Sequence, residues 1–271
     1  MTRLRSYAGV RALVTGASSG IGRALALRLA REGARVALAA RRETELEQLA
    51  EEIRAVRGEA VVLPCDVSDA ASVADTAARA RETWGGIDLL VNNAGYGHHR
   101  TFLEWSVEDM ERMMRVNYFG ALYFTKALLP AMVEQRRGWL VFVASVAGKI
   151  ASPEESAYAA SKFAMVGLAS ALSIEVEDAG VHVLTVCPGV IRTPFFDEEA
   201  LSRMAPAAKK GMVEVDALVD AMIAALAKGK HEITFPGGIS PAYAIQAIAP
   251  EFMRRAVRRN TIDAREKAGG R

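Results

Sequence analysis

Hydrophobic positions along the chain follow two alternating periods. Short runs dense in Val, Leu, Ile and Ala give way to longer stretches with apolar residues three to four apart, again and again. That succession predicts β-α-β units joined into a parallel sheet. Strands are expected at residues 10–15, 35–40, 60–64, 88–92, 139–145, 182–188 and 232–236. Helices are expected at 21–32, 44–56, 69–84, 106–116, 119–135, 156–179 and 215–228. Gly33 marks the end of the first helix. The stretch T-E-L-E predicts a capping box for the second, with Thr44 and Glu47 satisfying free backbone N–H groups. W-L-V-F-V-A-S at 139–145 is too apolar for a half-exposed strand and belongs at the buried centre of a parallel sheet.

No repeat, low-complexity stretch or linker interrupts the pattern. The fold class is therefore α/β: one doubly wound domain with a seven-stranded parallel sheet and helices on both faces. It spans residues 1–238, and 239–271 form a helical extension packed on it or at an interface. Ligands of such sheets bind at the carboxyl ends of the strands, near the switch in strand order. Chemistry is expected just after the first, fourth, fifth and sixth strands.

Composition narrows the function classes. The 271 residues are 51% hydrophobic and 24% charged, and 34 basic against 32 acidic side chains leave a net charge of +2. That balance calls for no nucleic acid or acidic surface as partner. Cys65 and Cys187 sit singly in apolar runs without C-x-x-C spacing, and four histidines form no ligand pattern, so no metal is expected. Two buried free thiols fit a reducing compartment. The start M-T-R-L-R-S-Y-A-G-V lacks the apolar segment of a secretion signal. No stretch reaches the ~18 uncharged apolar residues of a spanning helix. The expectation is a cytoplasmic protein.

After the first strand comes T-G-A-S-S-G-I-G, with Gly16, Gly20 and Gly22 running into a helix. Glycines there let the backbone approach a pyrophosphate, and the helix start offers free N–H groups and a positive dipole end. The spacing G-x-x-x-G-x-G differs from the common dinucleotide fingerprint. At the end of the second strand, about 20 residues past such glycines, an acidic residue would bind a ribose 2′-hydroxyl, whereas an arginine would accept a 2′-phosphate. Here the residues are Ala40, Arg41 and Arg42. The segment points to NADP(H).

Tyr158 raises a second question, because a phenol with a pKa near ~10 is a weak acid. Among six tyrosines it alone has a lysine, Lys162, four residues on. One helical turn apart, the two side chains share a face. A neighbouring ammonium favours the phenolate and brings the phenol toward a useful general acid/base range. Ser145, at the end of the fifth strand, is placed to hydrogen-bond a substrate oxygen.

Together T-G-A-S-S-G-I-G, N-N-A-G at 92–95, Asn117, Ser145, Y-A-A-S-K at 158–162 and P-G-V-I-R-T at 188–193 resemble the classical short-chain dehydrogenases/reductases, in order and spacing, from about residue 8 to 236. The resemblance implies a Rossmann-type fold and a role for each position. Gly16, Ser18, Ser19, Gly20, Ile21 and Gly22 would cradle the cofactor, with Arg41 on the 2′-phosphate and Arg42 helping. Asp66 and Val67 would flank the adenine, while Asn93, Ala94 and Gly95 would lie against a cofactor ribose. Tyr158 would be the acid/base, and Lys162 would lower its pKa and bind the nicotinamide ribose. Ser145 would orient the substrate oxygen, and Asn117 would hold a water in a proton relay. Pro188, Gly189, Ile191 and Thr193 would shape the loop around the carboxamide. The implied activity is reversible hydride transfer between NADP(H) and a carbonyl or alcohol.

Beyond residue 238 the chain departs from the plainest members, with P-A-Y-A-I-Q-A-I-A-P-E-F-M-R-R-A-V-R-R-N at 241–260. A helix over the pocket or an interface is the favoured reading; contact with a membrane surface through its basic amphipathic stretch is the less favoured one. The resemblance implies a homodimer through helices 119–135 and 156–179, or a homotetramer. Substrate walls are expected from His98, His99, Val146, Ile150, Phe195, Phe196, Met204, Met212 and Tyr243, an apolar and partly aromatic set. Two rival readings are a reductase of 3-oxoacyl groups on a carrier protein, with Arg100, Arg192 and Arg203 as its basic patch, and a non-catalytic NADP(H)-binding regulator.

Overall fold

A computed structural model describes residues 3–195, 198–204 and 206–268. Its strands, in chain order, are β1 (Arg11–Thr15), β2 (Arg35–Ala40), β3 (Glu59–Pro64), β4 (Leu89–Asn92), β5 (Gly138–Val143), β6 (Val181–Pro188), the short β7 (Ile191–Arg192) and β8 (Val213–Glu214), and β9 (Glu232–Phe235). Seven of them form one parallel sheet in the order β3-β2-β1-β4-β5-β6-β9. β7 and β8 pair separately. From β1 the chain steps outward to β3 and then crosses back to β4, so the order switches between β1 and β4. That switch opens a crevice at the carboxyl ends of these strands.

Both faces of the sheet are covered, which explains the unbroken apolar runs. Along β1, Ala12 and Val14 enter one core and Leu13 the other, as the two-residue period of a strand requires. The first core packs the sheet against α1 (Gly20–Arg31), α2 (Glu43–Ala55) and α9 (Val215–Lys228) through Leu25, Leu46, Leu49 and Met222. The second packs it against α3 (Ala70–Trp84), α5 (Gly120–Glu134) and α6 (Ser156–Glu175) through Val73, Phe124, Leu128 and Met165. α6 is long and apolar enough to cross a membrane by length and composition. Its Met165, Val166 and Ala169 are instead buried in the core.

Local signals decide most boundaries. Asp69 caps α3 by accepting the Ala71 N–H, and Gly85, left-handed at φ 73°, ends it. The capping box expected at Thr44 and Glu47 does not form. α2 begins one residue earlier, on Arg42, with no side-chain cap. The need to bury Leu46, Leu49, Ala50 and Ile53 sets its start, and Glu43 and Glu45 favour the N-terminal dipole end. A capping box occurs at Thr101 and Glu104. The break expected between helices 106–116 and 119–135 is also different. α4 (Val107–Met114) runs through a π-helical turn, Arg115–Phe119, directly into α5.

Beyond Arg192, α7 (Glu198–Arg203) and α8 (Pro206–Lys210) form the segment before α9. The extension folds as α10 (Pro241–Ile248) and α11 (Pro250–Ala268), packed on each other, with α11 reaching α8.

At the opposite end of β1 from the crevice, Arg11 forks onto the buried Asp88: its Nε donates to Oδ2 at 2.9 Å and an Nη to Oδ1 at 2.7 Å. Burial pushes the Asp88 carboxyl up, but the Arg11 hydrogen bonds and charge outweigh it and hold the group below the usual carboxylate range. Asp88→Ala should cost roughly 2–3 kcal/mol at pH 7, since it strands a partly buried guanidinium. A carboxylate with a lowered folded pKa contributes fully above its unfolded pKa of about 4 and loses its contribution as pH falls through the folded value. Urea titrations should therefore show wild type and variant converging below about pH 4.

Candidate active site

Thr15 and Asn93 join the strand ends that border the crevice. Thr15 Oγ1 donates to the Val91 carbonyl at 3.1 Å and accepts the N–H groups of Asn93 and Ala94 at 2.9 and 3.0 Å. Asn93 Nδ2 donates back to the Thr15 carbonyl at 2.9 Å. The glycine loop passes through this contact with no room to spare. A Cβ on Gly16 would stand 2.9 Å from Asn93 Nδ2, and one on Gly22 would stand 2.4 Å from the Gly16 carbonyl oxygen. Gly16 also holds φ 66°, a left-handed conformation that glycine adopts without strain. α1 then starts with no side-chain cap on Ser19 and no acidic residue in its first turn. Its free N–H groups face the crevice, as an anion requires.

A cavity of about 470 Å³ runs along the carboxyl ends of the strands. Gly16, Ser18, Ser19, Gly20 and Ile21 line one side, with Asp66, Val67, Asn93, Ala94 and Gly95 across the floor. Ser145, Tyr158 and Lys162 line the same cavity, together with Pro188, Gly189, Ile191 and Thr193, the last standing against Gly20 of the cradle. Of the residues expected to be catalytic or to hold the cofactor, Gly22 and Asn117 lie outside this lining. Gly22 supports the loop from behind, and Asn117 is fully buried behind Gly95.

Arg41 and Arg42, at the end of β2, stand at the cavity's outer end. Arg42 donates two hydrogen bonds to Ser18 Oγ, at 3.0 and 3.3 Å, and lies 3.5 Å from Glu45. Arg41 is exposed, and its charge reaches Asp66 and Tyr96. Asp66 turns its carboxylate onto Ser68, accepting from the backbone N–H and from Oγ at 2.9 and 2.7 Å. Both bonds fall on Oδ1.

At the other end, Lys162 Nζ donates to the Val143 carbonyl at 2.9 Å and lies 5.7 Å from the Tyr158 ring centroid. Burial pushes the Lys162 ammonium down to about 8. Burial also raises the Tyr158 phenol; the Ser145 hydrogen bond draws it part of the way back, and the Glu155 carboxylate raises it further. The expected lowering of the phenol by Lys162 is therefore not met. Desolvation favours the neutral form of both groups. Asn117 is held by three hydrogen bonds: Oδ1 accepts the Tyr96 N–H, and Nδ2 donates to the Tyr96 carbonyl and to Ser161 Oγ. Ser161 Oγ donates in turn to the Tyr158 carbonyl at 2.7 Å. Ser145 Oγ accepts the Ala147 N–H, capping the turn Val146–Gly148.

Sequence reading missed two contributors. Ser161, within Y-A-A-S-K, ties Asn117 to the Tyr158 helix, and Tyr96, directly after N-N-A-G, lines the cavity. Of the expected substrate walls, Phe195 lines the cavity, its ring 5.8 Å from that of Tyr158. Phe196 lies outside the described residues. His98, His99, Val146, Ile150, Met204, Met212 and Tyr243 are not in the lining. His98 packs on Tyr96 and Trp105 instead, Met204 is buried, and Tyr243 faces Thr234. Arg100, Arg192 and Arg203 each pair with a carboxylate, of Asp109, Glu214 and Glu104 respectively.

Residues 11–204 match the sequence model of the short chain dehydrogenases. The chain belongs to the short-chain dehydrogenase/reductase family. It is 42% identical over 193 residues to oxidoreductase UcpA of Salmonella typhimurium, covering 71% of this chain and 73% of that protein. It is 34% identical over 267 residues to dehydrogenase/reductase SDR family member 7B of Bos taurus, covering 93% and 82%. Among solved structures, a short chain dehydrogenase/reductase from Burkholderia phymatum in complex with NAD superimposes with a TM-score of 0.83 at 27% identity, covering 92% and 96%. The crevice thus belongs to an oxidoreductase family that binds a nicotinamide dinucleotide, and the glycine cradle and uncapped α1 fit such a group.

Lys162 should carry a stability cost that its function alone would not predict. Its folded pKa of about 8 lies below the ordinary 10.5, so the unfolded chain binds more protons between these values. Its contribution to stability is therefore least favourable below pH 8 and improves as pH rises toward 10.5. Lys162→Met should raise the stability of the ligand-free protein at pH 7 by on the order of 2 kcal/mol, net of the lost Val143 hydrogen bond. Thermal melts should show this advantage shrinking between pH 8 and 10.

Proposed function

We propose that this protein is an NADP(H)-dependent oxidoreductase that interconverts a ketone or aldehyde and an alcohol, with Tyr158 as general acid/base. One observation carries the reading: Ser145, Tyr158 and Lys162 line the same cavity as the glycine cradle and Arg41. The cofactor, when bound, supplies or accepts the hydride. Tyr158 gives its phenolic proton to the carbonyl oxygen in reduction and takes it back in oxidation. Ser145 Oγ orients that same oxygen, and Lys162 stabilises the phenolate that remains. Asn117, braced by Tyr96 and Ser161, keeps the Lys162 side of the site polar for proton exchange.

Arg41 supports the phosphate-bearing cofactor. Ala40 offers no carboxylate to a ribose diol, and Arg42 already binds Ser18 in the cradle. The aromatic ring of Phe195 against Tyr158 supports an apolar substrate. The pairing of Arg100, Arg192 and Arg203 with carboxylates supports this reading over a reductase of groups on an acyl carrier protein. On this reading residues 1–238 are the catalytic unit and 239–271 an extension of it. Exposed Phe163 and Ile174 on α6 support a homodimer through α5 and α6. Two buried free thiols support a cytoplasmic setting.

Tyr158→Phe should leave NADPH affinity nearly intact while turnover of a responsive ketone falls about 10²–10⁴-fold; near-normal turnover would remove Tyr158 from the proton path. For the cofactor, charge-assisted hydrogen bonds contribute roughly 1.5–3 kcal/mol each, so NADPH should bind at least about tenfold more tightly than NADH. Ala40→Asp combined with Arg41→Ala should reverse that order, because an anion then stands where the 2′-phosphate lies. Fluorescence titration with both reduced cofactors decides it, and equal affinity in the wild type sinks the assignment.

A further inference from the structure

The extension presents apolar side chains to water where charge is expected. Residues 240–250 contain no charged residue, and none of α10 is buried. Ile245 is 40% exposed, Ile248 85%, and Phe252 at the start of α11 61%. Phe252, Arg255 and Arg259 share one stripe of α11, three and four residues apart. Arg254 and Arg258 pair with Glu251 and Asp263, whereas neither Arg255 nor Arg259 has such a pair among the described residues. A second exposed group, Phe102, Leu103 and Val107, precedes and opens α4 at 68, 93 and 67%. The two groups flank the segment bordering the pocket. Glu104 is bound by Arg203 of α7, which follows Phe195 on Tyr158, and α8 touches α11.

We propose that this face docks on an anionic lipid bilayer, with α10, the start of α11 and the 102–107 segment in the headgroup layer and Arg255 and Arg259 on lipid phosphates. Surface elements of this kind bind by burying apolar side chains at the acyl boundary and by attraction between basic residues and anionic headgroups. A second copy fits less well, since a two-fold contact through one patch sets the same arginines against each other. Docking places the pocket mouth at the lipid surface, where an apolar carbonyl or alcohol is concentrated. That purpose rests on the function proposed above, but the docking does not.

The full chain should co-sediment with phosphatidylcholine vesicles containing phosphatidylserine, far less with phosphatidylcholine alone, and should release near 1 M salt, where the Debye length falls to about 3 Å. Arg255→Ala with Arg259→Ala should weaken binding roughly tenfold to thirtyfold. Leu103→Asp with Ile248→Asp should do at least as much, with NADPH affinity unchanged in both variants. Absence of wild-type binding, or binding that survives both pairs of substitutions, overturns the proposal. So does a change in oligomer size in the second variant without any vesicle binding, which assigns the face to another copy. Vesicle binding that follows these outcomes in a protein that fails to bind NADPH leaves the docking standing and removes the cofactor assignment.

Discussion

The contact between Thr15 and Asn93 is the constraint on which the rest of the site depends. One threonine hydroxyl and one asparagine amide hold the ends of β1 and β4 together where the strand order switches. Because Asn93 Nδ2 sits where a side chain would grow from Gly16 or Gly22, both positions are limited to glycine. The loop can then turn sharply enough to aim the start of α1 into the crevice. The clamp, the glycines and the start of α1 are thus in direct contact with one another.

The far end of the site is assembled at an energetic cost. Lys162, Ser161 and Asn117 are all buried, and burial opposes charge on Lys162 and Tyr158 alike. Hydrogen bonds offset part of this: the Val143 carbonyl receives the lysine, and Tyr96 and Ser161 saturate the asparagine amide. The polar groups are thereby held at set positions in a low-dielectric surrounding, where small changes in nearby charge have large effects on protonation. The outer end differs, since Arg41 is exposed to solvent. Such a division suits the function proposed above, in which one part of the pocket binds an anion and another moves a proton.

Much of this was legible in the sequence because the signals are local. Strand runs, helix periods and glycine spacing depend on residues near one another, and the seven-stranded parallel sheet follows from them. The position of Ser145, Tyr158 and Lys162 around one cavity was also readable, since strand ends and one helical turn place them. What failed required tertiary knowledge. The Thr44 capping box lost to the burial of Leu46, a packing demand that no local pattern reveals. Two of the side chains expected as substrate walls have other partners, His98 on Tyr96 and Trp105 and Tyr243 on Thr234. Ser161 escaped because its partner, Asn117, lies on another helix.

The π-helical turn Arg115–Phe119 has a meaning for how this chain can change length. A π turn holds one residue more than an α turn, so the faces of α4 and α5 are out of phase by about 100° across it. α5 can therefore bury Phe124 and Leu128 in the core while Asn117 reaches inward between Tyr96 and Ser161. Deleting a single residue here would regularise the helix, rotate one half against the other, and withdraw either the core face or the asparagine. The join between α4 and α5 is thus open to substitution on its surface but closed to insertion or deletion, and a graft from a relative has to carry the whole turn.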